Sequence, residues 1–240
     1  MRAPALPPSW ASRLRLPSQC AVCRGWDRQL LCAACVARYA PAVPRCPRCG
    51  LRLAVAAAGC GACMAEPPPF DRCIVGCDYA FPWDRLIADF KFNGHVELAA
   101  PLAQRLLDAL RRDGEALPAW VLPVPLSPQR LAERGYNQAW ELARRLAHGL
   151  RCQADAQWLQ RPLAGTHQAE LGLAQRRRNV EGAFVPDLRR RGSLQGRHVA
   201  LVDDVMTSGA TLREAAAALR RAGAARVDAW VLARTPAPGD

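Results

Sequence analysis

From about residue 70 onward, short apolar runs alternate with longer amphipathic stretches. Ile74–Tyr79 predicts a strand, Trp83–Phe90 and Val96–Arg112 predict helices, and Trp120–Val124 predicts a short buried strand. Trp140, Ala143, Ala147 and Leu150 recur at the spacing of one helical face, which predicts a helix over Gln138–Leu150. His198–Val202 and Val227–Leu232 are aliphatic and β-branched and predict strands. Between them, Thr211–Ala222 is an Ala-rich helix that Gly223 is placed to end. Strand, helix, strand order predicts an α/β domain over residues 70–240, with a parallel sheet covered on both faces. Ligands of such sheets bind at the carboxyl ends of the strands.

Before residue 70 the texture is different. Residues 1–17 read as a loose leader, residues 18–66 carry four Cys-x-x-Cys pairs, and Pro67-Pro68-Pro69 reads as a stiff hinge. The pairs are Cys20/Cys23, Cys32/Cys35, Cys46/Cys49 and Cys60/Cys63. A two-residue gap lets a tight turn aim two thiolates at one tetrahedral ion, so four pairs fit two structural zinc ions with closed ligand sets. Pairing in sequence order and a crossed arrangement both satisfy the spacing. A redox role for one pair expects a thioredoxin-like βαβ surrounding, which is absent. A segment this short cannot build its own core, so metal binding supplies much of its folding energy. Cys73 and Cys77 fall on one face of a strand by even spacing, and with Cys152 they read as small buried hydrophobes.

Half of the 240 residues are apolar, enough for a real core. The net charge is +12, carried almost wholly by Arg. That favours phosphate-rich partners, such as nucleotides or nucleic acid. It also fits Arg-rich codon usage with solvated helix faces. No stretch approaches the ~20 apolar residues of a membrane span, and the Pro-rich start lacks the apolar core of a signal peptide. The expectation is a soluble, cytoplasmic protein without membrane insertion.

One stretch carries chemistry. After the strand His198–Val202 come Asp203 and Asp204, then Val205, Met206 and the turn Thr207-Ser208-Gly209-Ala210-Thr211 leading into a helix. Backbone N–H groups in such a turn and at a helix N-terminus point at an anion. The Thr and Ser hydroxyls add donors without bulk. Two adjacent carboxylates suit the vicinal diol of a ribose and help to hold Mg²⁺. The bland alternative is an ordinary N-capped helix after a strand.

Val202-Asp-Asp-Val-Met-Thr-Ser-Gly-Ala-Thr211 resembles the motif with which type I phosphoribosyltransferases bind 5-phosphoribosyl 1-diphosphate (PRPP). The resemblance implies that Asp203 and Asp204 contact the ribose hydroxyls and that Thr207–Thr211 cradle the 5-phosphate. Pro123-Val-Pro125, Arg130, Arg134-Gly-Tyr-Asn-Gln138, Gln168-x-x-Leu171 and Arg176-Arg-Arg-Asn179-Val-x-Gly-Ala-Phe184 follow the same logic. Together with the Cys-rich head, they resemble the ComF family, also labelled GntX-like, over about residues 18–234. This implies a type I phosphoribosyltransferase fold joined to a small N-terminal zinc-ribbon domain with four cysteines per ion. Lys91, in Phe-Lys-Phe-Asn-Gly94, matches a recurrent lysine of that family and could serve a phosphate or simply face solvent.

A loop at 126–135 after the strand at Val121–Pro125 would lie beside the phosphate loop in a parallel sheet. Arg130 and Arg134 there could clamp pyrophosphate oxygens. Gly135 would admit a close backbone approach, and Asn137 and Gln138 begin a helix as caps or ligands. The polar segment Arg161–Asn179 reads as a cover, with Arg161, Gln168, Arg176 and Asn179 as candidates for pyrophosphate or acceptor. A solvated surface turn is the alternative for the first segment, and a disordered connector with a basic face for the second. His167 is a lone loop histidine, and no general base is identified.

The chemistry implied is transfer of phosphoribosyl from PRPP, with Mg²⁺, to a nucleobase-like nitrogen heterocycle, releasing pyrophosphate. The rival is a non-catalytic module that senses PRPP or binds single-stranded DNA or a competence-machinery protein. The family's association with DNA uptake supports the second reading, and the phosphate loop supports the first.

Overall fold

The structure, a computed structural model, describes residues 17–161, 183–187 and 194–237. In the head, β1 (Ser18–Gln19) and β2 (Trp26–Asp27) form a small hairpin, followed by α1 (Ala33–Tyr39) and α2 (Gly61–Ala65). The larger part runs β3 (Arg72–Asp78), α3 (Trp83–Phe92), α4 (Ala99–Asp113), β4 (Trp120–Pro123), α5 (Pro128–Arg134), α6 (Gln138–Leu150) and β5 (Gln153–Ala154). It continues with β6 (Leu159–Gln160), β7 (Val185–Pro186), β8 (His198–Met206), α7 (Ala210–Arg221) and β9 (Arg226–Arg234).

Five strands form one parallel sheet in the order β3-β9-β8-β4-β5. One face is covered by α3, α4 and α6 through Ile87, Leu102, Leu106, Leu142 and Leu146, all essentially inaccessible. The other is covered by α7 through Leu212, Ala215 and Leu219, with Phe70 and Trp158. The buried stripe of α6 is Ala139, Leu142, Ala143, Leu146 and Ala147. The expected outer members Trp140 and Leu150 are only partly buried. Helix α4 starts three residues later than periodicity suggests, because Val96–Leu98 form a tighter 3₁₀ turn.

Three departures from the sequence reading matter for the site. Strand β8 continues to Met206, since its ladder with β9 carries on through Asp203↔Val231 and Val205↔Ala233. The acidic pair therefore sits inside the strand's last residues, not after it. The stretch expected as a loop after β4 contains α5, with Ser127 as cap, Pro128 in the first turn and Gly135 at φ 76° closing it. This is the cap, proline and glycine arrangement that favours a helix of charged composition. Cys73 and Cys77 are both buried, but they pack in different clusters instead of sharing one.

The head docks on the outer edge of β3. The Cys73 N–H donates to the Pro47 carbonyl at 2.9 Å, and Gly50, at φ 69°, lies where a Cβ would strike Val75. Arg45 pairs with Asp78 at 2.7 Å, and the Trp83 indole donates to the Tyr39 carbonyl at 2.7 Å. An open sheet edge is thereby capped by the second cysteine turn.

Candidate ribose-phosphate site and cysteine clusters

The Val124 N–H donates to the Val202 carbonyl at 2.9 Å, which fixes the carboxyl ends of β4 and β8 side by side. A cavity of about 150 Å³ opens there. On its floor are Asp203, Asp204, Val205 and Thr211, and its rim carries Lys91, Arg130, Arg134, Asn137, Gln138 and Arg161. Residues from five separate stretches thus converge at the place where open parallel sheets bind ligands.

The electrostatics are polarised. Burial and the adjacent Asp204 push the Asp203 carboxyl up to about 7, with Lys91 opposing. Asp204, 6% exposed, accepts from the Lys91 ammonium at 2.9 Å. Across the cavity, burial and the nearby Arg130 push the Arg161 guanidinium below its ordinary value, with Asp203 opposing. Arg161 is further held over the Phe184 ring at 5.4 Å. Two like charges brought together at a cavity rim favour an anion between them.

Beyond Met206 the turn is built to receive an anion. No side chain caps α7, and Gly209 takes the cap position at φ 79°. Apart from Ala210 N–H, which reaches Ser208 Oγ, the first-turn N–H groups are left for a ligand. The positive φ favours glycine there, and a Cβ would lie 2.5 Å from the Met206 methyl, which would have to shift. Thr207 and Ser208 are exposed, and Ser208 Oγ accepts from Ala210 N–H at 3.4 Å.

The segment 134–138 works largely as scaffold. Asn137 Oδ1 caps α6 by accepting from Ala139 and Trp140 N–H, and its Nδ2 donates to the Val124 carbonyl at 3.1 Å. The Gln138 amide, buried, donates to the Lys91 carbonyl at 3.4 Å and accepts from Arg134 at 3.0 Å. The Tyr136 hydroxyl donates to the Phe90 carbonyl. Arg134 stacks on Phe92 at 5.1 Å. These contacts tie the end of α3, and so Lys91, to the arginine-bearing arm. Gln168, Arg176 and Asn179 lie outside the described residues.

In the head, the cysteines group in sequence order. Cys20, Cys23, Cys32 and Cys35 form one cluster and Cys46, Cys49, Cys60 and Cys63 the other, each with its sulfurs within 4.8 Å of one another. Cys23 and Cys32 sulfurs are 3.8 Å apart, and those of Cys49 and Cys60 are 3.7 Å apart. A tetrahedral ion with bonds of about 2.3 Å requires edges of about 3.8 Å. Burial opposes ionisation of Cys20, yet backbone N–H groups of Cys32, Cys23 and Val22 bring it down to about 6. In the second cluster the N–H groups of Cys60, Cys49 and Arg48 likewise overcome burial and bring Cys46 down to about 7. Burial and neighbouring thiols push Cys35 up to about 12. Each cluster thus prepares one thiolate beside three further sulfurs, a donor set that a divalent cation completes while releasing protons.

Residues 131–239 match the Phosphoribosyl transferase domain family. The DNA utilization protein YhgH of Salmonella typhimurium is 38% identical over 229 residues, covering 92% of this chain and 99% of that protein. Competence protein F of Haemophilus influenzae is 34% identical over 223 residues, covering 90% of this chain and 96% of that protein. The chain belongs to the ComF family. Among solved structures, the B. subtilis glutamine PRPP amidotransferase complexed with ADP and GMP aligns with a TM-score of 0.38 at 20% identity, over 56% of this chain and 26% of that one.

Within this ComF architecture, a phosphoribosyltransferase-like sheet domain carries a head whose two four-cysteine clusters fit a double zinc ribbon. Among the described residues no helix is long and apolar enough to cross a membrane. The sequence reading left Lys91 between a phosphate contact and a solvated side chain, and the structure gives it a third role as partner of Asp204. A signal was present. Lys91 is the single lysine of a chain with 33 basic residues, so an Arg-rich composition breaks its own habit at one position. A compact ammonium meets one carboxylate oxygen without the width of a guanidinium. Replacing it, Lys91→Met, leaves Asp204 uncompensated beside Asp203 and is expected to weaken PRPP binding about ten-fold. Lys91→Arg should recover only part of that. Isothermal titration reads both, and wild-type affinity in Lys91→Met would contradict the assignment.

Proposed function

We propose that this ComF-family protein binds PRPP with Mg²⁺ and transfers its phosphoribosyl group to a nitrogen heterocycle. The reading is carried by one observation. At the joined ends of β4 and β8, a carboxylate pair faces Arg130 and Arg161 across a single cavity, next to an uncapped helix N-terminus. Asp203 and Asp204 accept hydrogen bonds from the ribose hydroxyls. Thr207, Ser208, Gly209, Ala210 and Thr211 hold the 5-phosphate. Arg130, Arg134 and Arg161 face the pyrophosphate, with Gln168, Arg176 and Asn179 as further candidates. In the reaction the bond from the ribose anomeric carbon to pyrophosphate breaks, the pyrophosphate leaves with the electron pair, and the heterocycle nitrogen forms the new bond. Mg²⁺ would supply charge compensation for the leaving group, and the arginines add donors where negative charge develops.

Cys20, Cys23, Cys32 and Cys35 hold one zinc in this proposal, and Cys46, Cys49, Cys60 and Cys63 a second. Four sulfurs per ion leave no open position, so both zincs are structural. The relatives named for DNA utilization and competence support a place in DNA uptake.

The test is a screen for pyrophosphate release from PRPP against nucleobases and related heterocycles, run beside PRPP titration. Turnover with one acceptor, lost in the Asp203→Asn/Asp204→Asn double variant, is the expected result. A second reading has its own observation. The relatives are named for DNA utilization and competence, which supports a role in binding without turnover. PRPP binding with no release against any acceptor would establish that sensor reading and exclude transfer. Salt-sensitive single-stranded DNA binding that survives the double variant would mark a separate nucleic-acid module.

A further inference from the structure

The two cysteine clusters look alike in sequence but touch different parts of the molecule. Around the first, Ala21, Val22, Leu31 and Val36 pack against the apolar cluster under α3 and α4, far along the chain from the phosphate loop. The second is linked to that loop through Arg234, beside a more exposed pair of Arg213 in the first turn of α7 with Glu66. Arg234, the last residue of β9, donates from Nε to the carbonyl of Cys49 at 3.2 Å. From Nη1 it donates to the carbonyl of Met206 at 3.2 Å and to that of Thr235 at 2.8 Å. Cys49 is a ligand position of the second cluster, and Met206 is the residue from which the phosphate turn departs.

A second contact path runs alongside. Gly50, next to Cys49, sits where a Cβ would come within 3.0 Å of the Cys73 sulfur. The Cys73 sulfur lies 3.9 Å from the Met206 sulfur, and the Met206 methyl fills the space that Gly209 leaves open. Met206 is 4% exposed, so its side chain is held on both sides. The Cys49 carbonyl belongs to a turn closed by Gly50 N–H to the Cys46 carbonyl at 2.8 Å and Cys46 N–H to the Leu51 carbonyl at 2.8 Å, and the turn is tied to the rest of the cluster by its sulfurs, Cys46 Sγ accepting from Cys60 N–H at 3.3 Å. Release of the ion frees that turn, and the guanidinium loses one of its two fixed ends.

We propose that Arg234 is a positioning residue that ties the second cysteine cluster to the phosphate loop. The metal state of Cys46, Cys49, Cys60 and Cys63 then sets how firmly the loop is held, and the first cluster does not. The proposal rests on the reading of the loop as an anion cradle and of the clusters as metal sites. Its primary test needs neither turnover nor a bound substrate.

Amide hydrogen exchange is measured on the full-length protein carrying its metal, for wild type, Arg234→Gln and Arg234→Lys, with zinc content determined on the same samples. Arg234→Gln is expected to keep the wild-type zinc content and to lose protection about ten-fold at residues 213–216, the first α7 amides whose acceptors lie in the loop and first turn (Arg213 N–H to the Gly209 carbonyl, 2.9 Å), with Arg234→Lys between the two. In parallel, wild type is treated with increasing chelator under reducing conditions, and alkylation of Cys32 and Cys60 reports which cluster has opened. Loop protection is expected to fall with exposure of Cys60 and not with that of Cys32. Unchanged protection in Arg234→Gln overturns the proposal, as does loss that tracks Cys32. Should Arg234→Gln fail to fold, the chelator series on wild type decides alone. PRPP titration is the secondary readout, with about ten-fold weaker binding expected in Arg234→Gln. Absence of PRPP binding in wild type would count against the proposed function, while the exchange result would still decide the coupling.

Discussion

Asp203→Asn is expected to separate ligand binding from stability, weakening PRPP·Mg²⁺ binding about fifty-fold while raising the melting temperature of the empty protein at pH 8. The binding loss follows from removing a charge-assisted acceptor of a ribose hydroxyl, at about 1.5–3 kcal/mol. The stability gain follows from the state of the empty site. Burial and Asp204 push Asp203 up to about 7, against an ordinary carboxyl near 3.9. The folded protein therefore binds a proton that the unfolded chain has already released. The associated stability is fully present below about pH 4 and is lost as pH rises through 7. Asparagine never ionises, so it escapes that loss. Asp203 keeps some solvent contact, so the gain is set at about 2 kcal/mol, half of what a rise from about 4 to about 7 would give in full. Calorimetry at pH 5 and pH 8 checks it. A variant that melts below wild type at pH 8 would show that the carboxylate is not strained in the empty site.

The same carboxyl governs the pH dependence of binding. A ligand that needs Asp203 ionised meets a site about one-tenth ready at pH 6 and nine-tenths ready at pH 8, so affinity is expected to rise about ten-fold across that window. A flat profile would mean that Asp203 accepts no hydrogen bond as a carboxylate. Strain of this kind at a binding site is relieved by ligand, and Lys91 supplies partial relief until it arrives.

What the chain disclosed about itself depended on how local each feature was. The strand, acidic pair, turn and helix at 198–222 are contiguous, and every residue type has a local reason, so their order was readable. The Cys-x-x-Cys turns are equally local, but their grouping is a question of tertiary packing, which leaves spacing silent. The helix Pro128–Arg134 was missed because it buries none of its residues and so carries no periodicity. Its cap, Ser127-Pro128, and its terminator, Gly135, were the signals to weigh. Asn137 and Gln138 could not be separated into cap and scaffold without knowing that α3 ends beside them. The pairing of Lys91 with Asp204 and the bridge from Arg234 to Cys49 join residues more than a hundred positions apart, beyond any local pattern.

Removing metal from the head is expected to have the largest effect of any single treatment. Of residues 17–66, the buried hydrophobic ones are Cys20, Leu31, Cys35, Cys46 and Cys63, so four of the five are cysteines facing the clusters. One leucine cannot offset the conformational entropy of some fifty residues at about 1 kcal/mol or more each. Ion binding in structural Cys sites contributes on the order of 10 kcal/mol per site, the largest favourable contribution open to so small a head. The head also docks on the sheet domain through Cys73–Pro47, Arg45–Asp78, Trp83–Tyr39 and the packing of Leu31 on the core, contacts that depend on the cysteine turns holding their shape. Strong chelator with reductant should therefore open residues 18–66 to trypsin at Arg24, Arg28, Arg38, Arg45, Arg48 and Arg52, at least about a hundred-fold faster than in the metal-loaded protein. Cleavage within the strands and helices of the sheet should lag, because the sheet core is closed by apolar packing on both faces. Readdition of Zn²⁺ before protease should restore resistance. Equal cleavage rates with and without metal would show that the head is held by its docking on β3, and that the eight cysteines do not supply its folding energy.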